Sequence, residues 1–183
     1  MKLLLLLLCC KGLFNCCGYD NVNIPDANFK AYLVGDSAIN TNGDKEIQVR
    51  EASAFNDTIR CISMNISNLK GIEAFTALTY LNCSYNQLKS LDLSKNTTLT
   101  NLNCIDNQLT SLDVSKNTAL SGLDCGGNQL TSLDVSKNTA LTSLHCRNNK
   151  LTSLDVSENT ALTQLNCEDN QFDCDALTKK IRY

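Results

Sequence analysis

The chain has 183 residues, a net charge of -3, 43% hydrophobic residues and 19% charged residues, a balance typical of one folded domain. The small negative charge argues against a nucleic-acid-binding protein, because such a protein needs a basic surface to neutralise phosphates. The sequence has one proline, so its turns must rely on other residues, and its many asparagines tolerate the left-handed backbone region that turns require.

The first residues predict an export signal. Lys2 is followed by an unbroken leucine run over residues 3–8, and a basic start before an apolar run is typical of a secretory signal. The run is too short to span a membrane as a helix, which needs about 20 apolar residues. We therefore expect residues 1–21 to be an export segment and the protein to be secreted or at the cell surface. Candidates for lipid modification, the one membrane attachment we expect, are Cys9, Cys10, Cys16 and Cys17.

Residues 22–77 are predicted to form a small helical cap and a first, atypical repeat. A helix is expected over residues 26–34, because Asp26 can cap it and Phe29 and Leu33 share one face. A second helix is expected over residues 47–55 and a first strand over residues 59–62. Apolar residues then recur every three positions up to the first full repeat: Ile66, Leu69, Ile72, Phe75 and Leu78.

The loop between the two predicted helices has the frame of an EF-hand calcium loop. Counted from Asn40, oxygen-bearing side chains fall at positions 1, 3, 5 and 12. However, position 1 is Asn rather than Asp, and position 6, where a glycine should turn the chain, is Lys45. Two interpretations stay open, a weak calcium site and an EF-hand-like turn without metal, and the departures favour the second. The residues concerned are Asn40, Asn42, Asp44, Glu46 and Glu51.

Residues 78–172 carry an internal repeat with a period of 21 residues. The pattern L-x-x-L-x-C-x-x-N occurs five times. Its positions are Leu78, Leu99, Leu120, Leu141 and Leu162; Leu81, Leu102, Leu123, Leu144 and Leu165; Cys83, Cys104, Cys125, Cys146 and Cys167; and Asn86, Asn107, Asn128, Asn149 and Asn170. A second copy of the spacing starts ten residues later in each period, for example Leu88, Leu91, Leu93 and Asn96.

This alternation resembles the nested 21-residue class of bacterial leucine-rich repeats, often called IRREKO. In L-x-L and L-x-C the two apolar residues alternate, so they point to one face of a short strand. We expect two strands in each coil, stacked in parallel on those of the next coil, because no single coil can bury its apolar face alone. The predicted fold is thus an α/β leucine-rich-repeat solenoid, dominated by short parallel strands, with a small helical cap at its amino end.

The segment over residues 66–81 resembles the junction between cap and repeats in bacterial internalins. The resemblance implies that residues 22–77 shield the open end of the solenoid, and it implies a role in adhesion or contact with a host. At the other end the repeat decays after Asn170, and residues 173–183 are expected to form a short helical cap.

The cysteine series is expected to be a row of buried core residues, because side chains stacked in a line cannot converge on a metal. The asparagines that recur at the end of each strand are expected to form an asparagine ladder that pairs buried backbone groups.

The outward positions separate scaffold from candidate surface. In the second half of each coil they hardly change, as in the series Asp92, Asp113, Asp134 and Asp155. In the first half they vary from coil to coil, which is how solenoids build recognition surfaces. The candidate ligand-binding residues are Tyr80, Asn82, Tyr85, Asn103, Ile105, Asp124, His145, Arg147, Asn166 and Glu168.

The sequence therefore predicts a monomeric recognition module for a protein or glycan ligand, with no cofactor beyond the weak calcium candidate. The alternative is a structural, envelope-associated repeat protein that self-associates through its regular face. We expect no enzyme: His145 is the one histidine of the chain, and strand alternation places it opposite Cys146, so the two cannot form a nucleophile–base pair.

Overall fold

Six short parallel strands lie side by side in chain order, one for each coil. The computed structural model describes residues 20–181, with side chains up to residue 178. The apolar run of the predicted export signal and the candidate lipid-modified cysteines lie outside these residues. The elements are α1 (Ala27–Gly35), α2 (Val49–Ala54), β1 (Thr58–Arg60), a 3-10 turn (Ile72–Ala74), β2 (Tyr80–Asn82), β3 (Asn101–Asn103), β4 (Gly122–Asp124), β5 (Ser143–His145), β6 (Gln164–Asn166) and α3 (Asp175–Ile181).

Equivalent residues of successive repeats are direct neighbours in the sheet. Leu81 pairs with Leu102, and Leu123 pairs with Leu144, so the 21-residue period is kept in register. These inward leucines are at most 2% exposed. They form a core that continues into the cap through Phe29. The predicted class of fold, a solenoid of short parallel strands with a small helical cap, is confirmed.

The prediction of two strands in each coil is wrong in its second half. Within the described residues, every strand of the repeats belongs to the first half of a coil. In the second half an aspartate turns the chain locally instead: the Asp92 carboxylate accepts a hydrogen bond from the Ser94 N–H at 2.9 Å. The same bond recurs at Asp113, Asp134 and Asp155. Because this turn bends the backbone every coil, the apolar alternation there does not extend into a strand.

Two asparagine ladders pair buried backbone groups of neighbouring coils. Asn128 of the first ladder donates to the carbonyl oxygens of Cys104 and Cys125 at 3.0 Å each and of Gly126 at 3.1 Å. Its own Oδ1 accepts from the Leu109 N–H at 3.0 Å. Asn138 of the second ladder donates to two carbonyls, at 3.0 and 2.9 Å. The predicted ladder function of these asparagines is confirmed.

The amino-terminal cap covers the edge of the sheet. As predicted, Asp26 caps α1, accepting from the backbone of Asn28 and Phe29 at 3.1 and 3.0 Å. The other oxygen of the same carboxylate accepts from the Ser67 N–H at 2.8 Å, which ties α1 to the solenoid. On the outer edge of β1, the Arg60 N–H donates to the Tyr32 hydroxyl at 2.9 Å. An edge strand with unpaired backbone groups would invite aggregation, and the cap reduces that exposure.

The cap differs from its prediction at two boundaries. Helix α2 spans Val49–Ala54 rather than residues 47–55, because Gln48 caps it in a reciprocal arrangement with Glu51. Strand β1 spans Thr58–Arg60, whereas residues 59–62 were expected. Because Thr58 pairs with Tyr80 and Tyr80 pairs with Asn101, the chain is one residue longer between β1 and β2 than between later strands.

The cysteine row is buried, and it has one more member than the repeat pattern indicates. Cys61, Cys83, Cys104, Cys125 and Cys146 are free thiols with 0% exposure. Burial raises the pKa of Cys61 and of Cys146 to about 12. Cys167 is buried as predicted, and it also forms a disulfide with Cys174, which the repeat pattern does not indicate. Cys167 belongs to the last coil, so the segment before α3 packs where a following coil would lie.

Among the described residues, no helix has the length and apolarity needed to cross a membrane.

Candidate binding face

The outward side chains of the strands and of the residues just after them form three rows. Together with the left-handed residue that follows the third row in each coil, we call them the strand face. The first row is Thr58, Tyr80, Asn101, Gly122, Ser143 and Gln164; the middle row is Arg60, Asn82, Asn103, Asp124, His145 and Asn166; the third row is Ile62, Ser84, Ile105, Gly126, Arg147 and Glu168. The structure therefore brings the predicted binding residues to one side of the solenoid. Whether they bind a ligand stays a prediction.

Most members of the middle row use their side chains to turn the chain. Asn103 Oδ1 accepts from the Ile105 N–H at 3.1 Å, and Asp124 Oδ1 accepts from the Gly126 N–H at 3.2 Å. Asn82 and Asn166 make the same bond with the residue two positions later. Asn82 is also buried, with 7% exposure. At these four positions the residue varies only between Asn and Asp, because their side-chain oxygens can accept the hydrogen bond that closes the turn.

His145 occupies the same row but faces its neighbour on the preceding coil. Its Nδ1 lies 3.7 Å from Asp124 Oδ2, and the two side chains are 42% and 26% exposed. Cys146, the next residue, is buried on the opposite side of the strand. The imidazole and this thiol are therefore separated by the sheet, as the strand alternation predicts.

A left-handed residue follows the third row in each coil. Its φ is 55° at Ser63, 57° at Tyr85, 51° at Asp106, 62° at Gly127, 53° at Asn148 and 54° at Asp169. Asn, Asp and Gly adopt this conformation readily, whereas a bulky side chain does so at a cost. Tyr85 is that bulky residue, and its side chain stays 55% exposed. Burial of the ring therefore does not compensate for the strained backbone at this position.

Strand β1 extends the face by one coil that sequence reasoning missed. The Arg60 guanidinium lies over the ring of Tyr80, 4.7 Å from its centroid. Ile62 is 38% exposed on the same coil. The repeat pattern could not identify these residues, because Thr58 pairs with Tyr80, a separation one residue longer than the 21-residue period. The available signal was the strand predicted over residues 59–62, which ends at Ile62 and could have been aligned with the strands of the repeats.

The EF-hand-like loop is closed by its own side chains. The Glu51 carboxylate accepts from the Thr41 N–H at 2.9 Å and from the Gln48 N–H at 3.0 Å. Asn40 Nδ2 donates to the carbonyls of Val34 and Asp44. Glu46 pairs with Lys30 at 2.7 Å. Over the described residues, no group of three or more His, Cys, Asp or Glu side chains is placed to hold a metal ion. Calcium binding by Asn40, Asn42, Asp44, Glu46 and Glu51 stays an untested prediction.

The stacked strands, the 21-residue coils and the inward Leu, Cys and Asn rows define a leucine-rich-repeat protein. No family model matches the sequence. The chain is similar to internalin J of Listeria monocytogenes serotype 4b (strain F2365), with 42% identity over 73 residues, which are 40% of this chain and 8% of that protein. The solved functional domain of internalin J from Listeria monocytogenes, described as including a cysteine ladder, is 32% identical, with a TM-score of 0.61 over 84% of this chain and 44% of that chain.

Two further solved structures support the fold alone. An internalin, InlF, of Listeria monocytogenes str. 4b F2365 has a TM-score of 0.74 at 24% identity, over 87% of this chain and 48% of that chain. A leucine-rich-repeat protein of Leptospira interrogans has a TM-score of 0.57 at 23% identity, over 67% of this chain and 33% of that chain. The chain thus spans less than half of these relatives, and its resemblance to bacterial internalins in both cap and repeats is confirmed.

Proposed function

We propose that the protein is a secreted or cell-surface recognition module that binds a protein partner through its strand face. The export signal predicted over residues 1–21 and the similarity to internalins support this location. The glycan ligand that the sequence also allows is the second outcome of the test below. The protein is proposed to act by binding alone, because the sheet separates the imidazole of His145 from the buried thiol of Cys146, the next residue.

The observation that carries this proposal is Tyr85. A large aromatic side chain lies on the outer surface, 55% exposed, on a backbone with φ of 57°. Other coils carry Ser, Asp, Gly or Asn there, so the fold does not require a tyrosine. Aromatic residues and arginine dominate the binding energy of protein interfaces. Tyr85, with Tyr80 on the same coil and Arg60 on the preceding coil, supplies such residues.

Self-association through the regular face has less support. The aspartate row on that face has a local cause, since each carboxylate closes a turn with the serine two residues later. Its uniformity therefore needs no partner to explain it. Light scattering over a range of concentrations checks this alternative, and growth of the particle with concentration would favour it.

The test is capture of a partner by the full chain and by two matched variants. The face variant is Tyr85→Asn with Arg147→Gln, and the control on the regular face is Lys116→Gln with Lys137→Gln. We expect the wild-type chain and the control to capture the same protein, and the face variant to lose at least about tenfold in affinity, since two hot-spot residues each contribute about 1 kcal/mol or more. Equal capture by all three would place the binding surface elsewhere. Capture that survives protease but not glycosidase treatment of the extract would identify a glycan.

A further inference from the structure

Two of the three large apolar side chains that are exposed in the described part of the chain are neighbours on the strand face. They are Ile62, 38% exposed on the coil of β1, and Tyr85, 55% exposed on the coil of β2. The half-buried Ile105 lies on the other side of Tyr85, whose N–H donates to the Ile105 carbonyl at 2.9 Å. We call Ile62, Tyr85 and Ile105 the amino-terminal patch. Adjacent exposed apolar side chains mark interaction surfaces, whereas isolated ones are common on any protein.

The residue between the two isoleucines has already used its polar groups. Ser84 is 3% exposed, and its hydroxyl and its N–H both donate to Asn82 Oδ1, at 2.7 and 3.1 Å. Its carbonyl accepts from the Ser63 N–H at 3.1 Å. A partner therefore gains little from hydrogen bonds to Ser84, and it gains more from apolar contact with the side chains around it.

The apolar character is confined to the first three coils. In the third row, Gly126, Arg147 and Glu168 follow Ile105 on the later coils. The left-handed position after that row holds a tyrosine once and Ser, Asp, Gly or Asn in every other coil. Because the backbone is the same in all these coils, the fold does not require apolar side chains in the amino-terminal patch. Their exposure to water is unfavourable, and contact with a partner would relieve it.

One cation lies beside the patch. Arg60 is exposed two residues before Ile62, on the same outward side of the chain. Its guanidinium lies over the ring of Tyr80, 4.7 Å from the centroid. The ring restricts the guanidinium while its N–H groups stay available, and a carboxylate is their preferred planar partner. Among the residues whose side chains are described, no carboxylate forms an ion pair with Arg60.

The carboxylate that follows Ile105 in the chain points away from the patch. The side chain of Asp106 lies over Gly127 of the next coil, where an added Cβ atom would be 2.9 Å from Asp106 Cγ. The patch therefore has a positive edge at Arg60, in a chain whose net charge is -3. A partner complementary to this surface combines apolar side chains with a carboxylate.

We propose that the amino-terminal patch, with Arg60 and Tyr80, binds a segment of the protein partner that presents an aromatic or aliphatic side chain beside a carboxylate. This inference rests on the proposed function, and it names the chemistry of the partner. The apolar side chain packs against Ile62, Tyr85 and Ile105, and the carboxylate pairs with Arg60. Outward residues two positions apart on a strand are separated by about 7 Å, which sets the distance between the two groups of the partner.

The experiment is an NMR titration of the full chain, labelled with 15N, with 4-phenylbutyrate, in which three methylene groups separate a phenyl ring from a carboxylate. A ligand of this size is expected to bind in the millimolar range. We expect the largest shifts at the amides of Ser63 and Tyr85 and at Nε of Arg60. The neutral 4-phenylbutanamide should bind about two- to fivefold more weakly, because it lacks the ion pair with Arg60. The cation 4-phenylbutylamine should bind more weakly still.

Three variants separate the charge from the apolar contact. Arg60→Gln should abolish the preference for the acid over the neutral amide and leave the affinity for the amide unchanged. Tyr85→Asn should weaken binding of the acid and of the amide by the same factor. Lys116→Gln removes a cation from the regular face and should change neither. The amide spectrum outside the patch shows whether each variant keeps the wild-type fold.

Several results would overturn the proposal. These are the absence of shifts at millimolar acid, shifts confined to another surface, equal binding of the acid, the amide and the amine, and a preference for the acid that survives Arg60→Gln. Shifts of the same amides caused by raising the protein concentration would assign the patch to a second copy. Shifts caused by a neutral oligosaccharide and by no phenyl compound would assign it to a glycan. If the capture experiment succeeds while the titration fails, the binding function holds and only the chemistry of the partner is wrong.

Discussion

The two halves of each coil are built by different means. In the strand half, backbone hydrogen bonds run from coil to coil, for example from Cys104 N–H to the Asp124 carbonyl at 2.8 Å. In the other half the chain is turned by side chains, as when Asp134 accepts from the Ser136 N–H at 2.9 Å. A half whose geometry depends on side chains must keep them, and the Asp–Ser series is constant. The strand half makes a similar turn with Asn or Asp in four coils. Because its backbone bonds run from strand to strand, its other outward residues can change, which leaves them available for recognition.

The two asparagine ladders show the same difference. In the first ladder Asn128 pairs three carbonyls and one N–H. In the second ladder Asn138 pairs two carbonyls, and its Oδ1 has no hydrogen-bond partner, as is also true of Asn96, Asn117 and Asn159. A buried oxygen without a partner costs free energy. The strand half is therefore the better satisfied of the two, which suits a half that must hold its shape while its outer surface changes.

The largest expected effect comes from removing one asparagine of each ladder. Asn128→Ala leaves the buried Leu109 N–H without its acceptor and removes one of the hydrogen bonds at each of three carbonyls, which keep a second donor. It should lower the free energy of unfolding by about 2–3 kcal/mol. Asn138→Ala removes one hydrogen bond from each of two carbonyls that also accept from a backbone N–H, and it removes an unsatisfied oxygen, so a loss of about 1 kcal/mol is expected. Urea denaturation measures both. Because the two changes remove the same volume, equal losses would contradict the difference between the ladders.

A smaller effect is expected from the pH dependence of the turn half. A hydrogen bond from the backbone of the following serine lowers the pKa of each carboxyl in the row below the ordinary value of 3.8: Asp92, Asp113, Asp134 and Asp155. A pKa lowered by folding means that the ionised form stabilises the folded state. This contribution is present above pH 3.8 and is lost as the pH falls through the folded-state pKa values.

The test replaces all four aspartates by asparagine, whose Oδ1 accepts the same hydrogen bond without titrating. We expect the urea midpoint of the variant to lie below that of the wild type at pH 7 and to fall less between pH 4 and pH 2, the interval around and below the ordinary carboxyl pKa, so that the two converge in acid. Glu158→Gln removes an exposed carboxylate that closes no such turn and serves as the control. A variant that loses stability as steeply as the wild type in acid would show that these turns do not depend on charge.

The period of the sequence predicts most of this fold, and its failures have a common physical cause. Leucine spacing identifies the inward rows, because a solenoid repeats its core contacts at a fixed interval. The same spacing cannot separate a strand from a turned segment, since both alternate apolar and polar residues, and only the Asp92–Ser94 bond shows the difference. The Cys167–Cys174 disulfide was missed because it joins the last repeat to a segment outside the period.

The candidate face was predictable as a side of the solenoid but less so residue by residue. Alternation places Asp124, His145 and Arg147 outward. It does not show that Asn82 is buried, or that the oxygens of Asn103 and Asp124 are used in turns. Nor does it show that the Asp106 side chain lies over Gly127. This contact joins two coils, and it is possible only because the second coil has a glycine at that position. Contacts of this kind depend on the size of the side chain at the equivalent position of the neighbouring coil. The pattern within one repeat does not contain that information.

The smallest expected change in stability is at Tyr85, and it has the opposite sign. Tyr85→Asn places at this position a residue that tolerates a φ of 57°, so we expect it to raise the free energy of unfolding by about 0.5–1 kcal/mol. The same change removes the exposed ring and should weaken partner binding. Asn148 provides the matched position, since Asn148→Tyr should destabilise the chain by a similar amount without creating a binding site. Urea denaturation and the capture assay, made on the same samples, separate the two effects. If Tyr85→Asn lowered stability, the ring would be packing against the fold, and its exposure would no longer point to a partner.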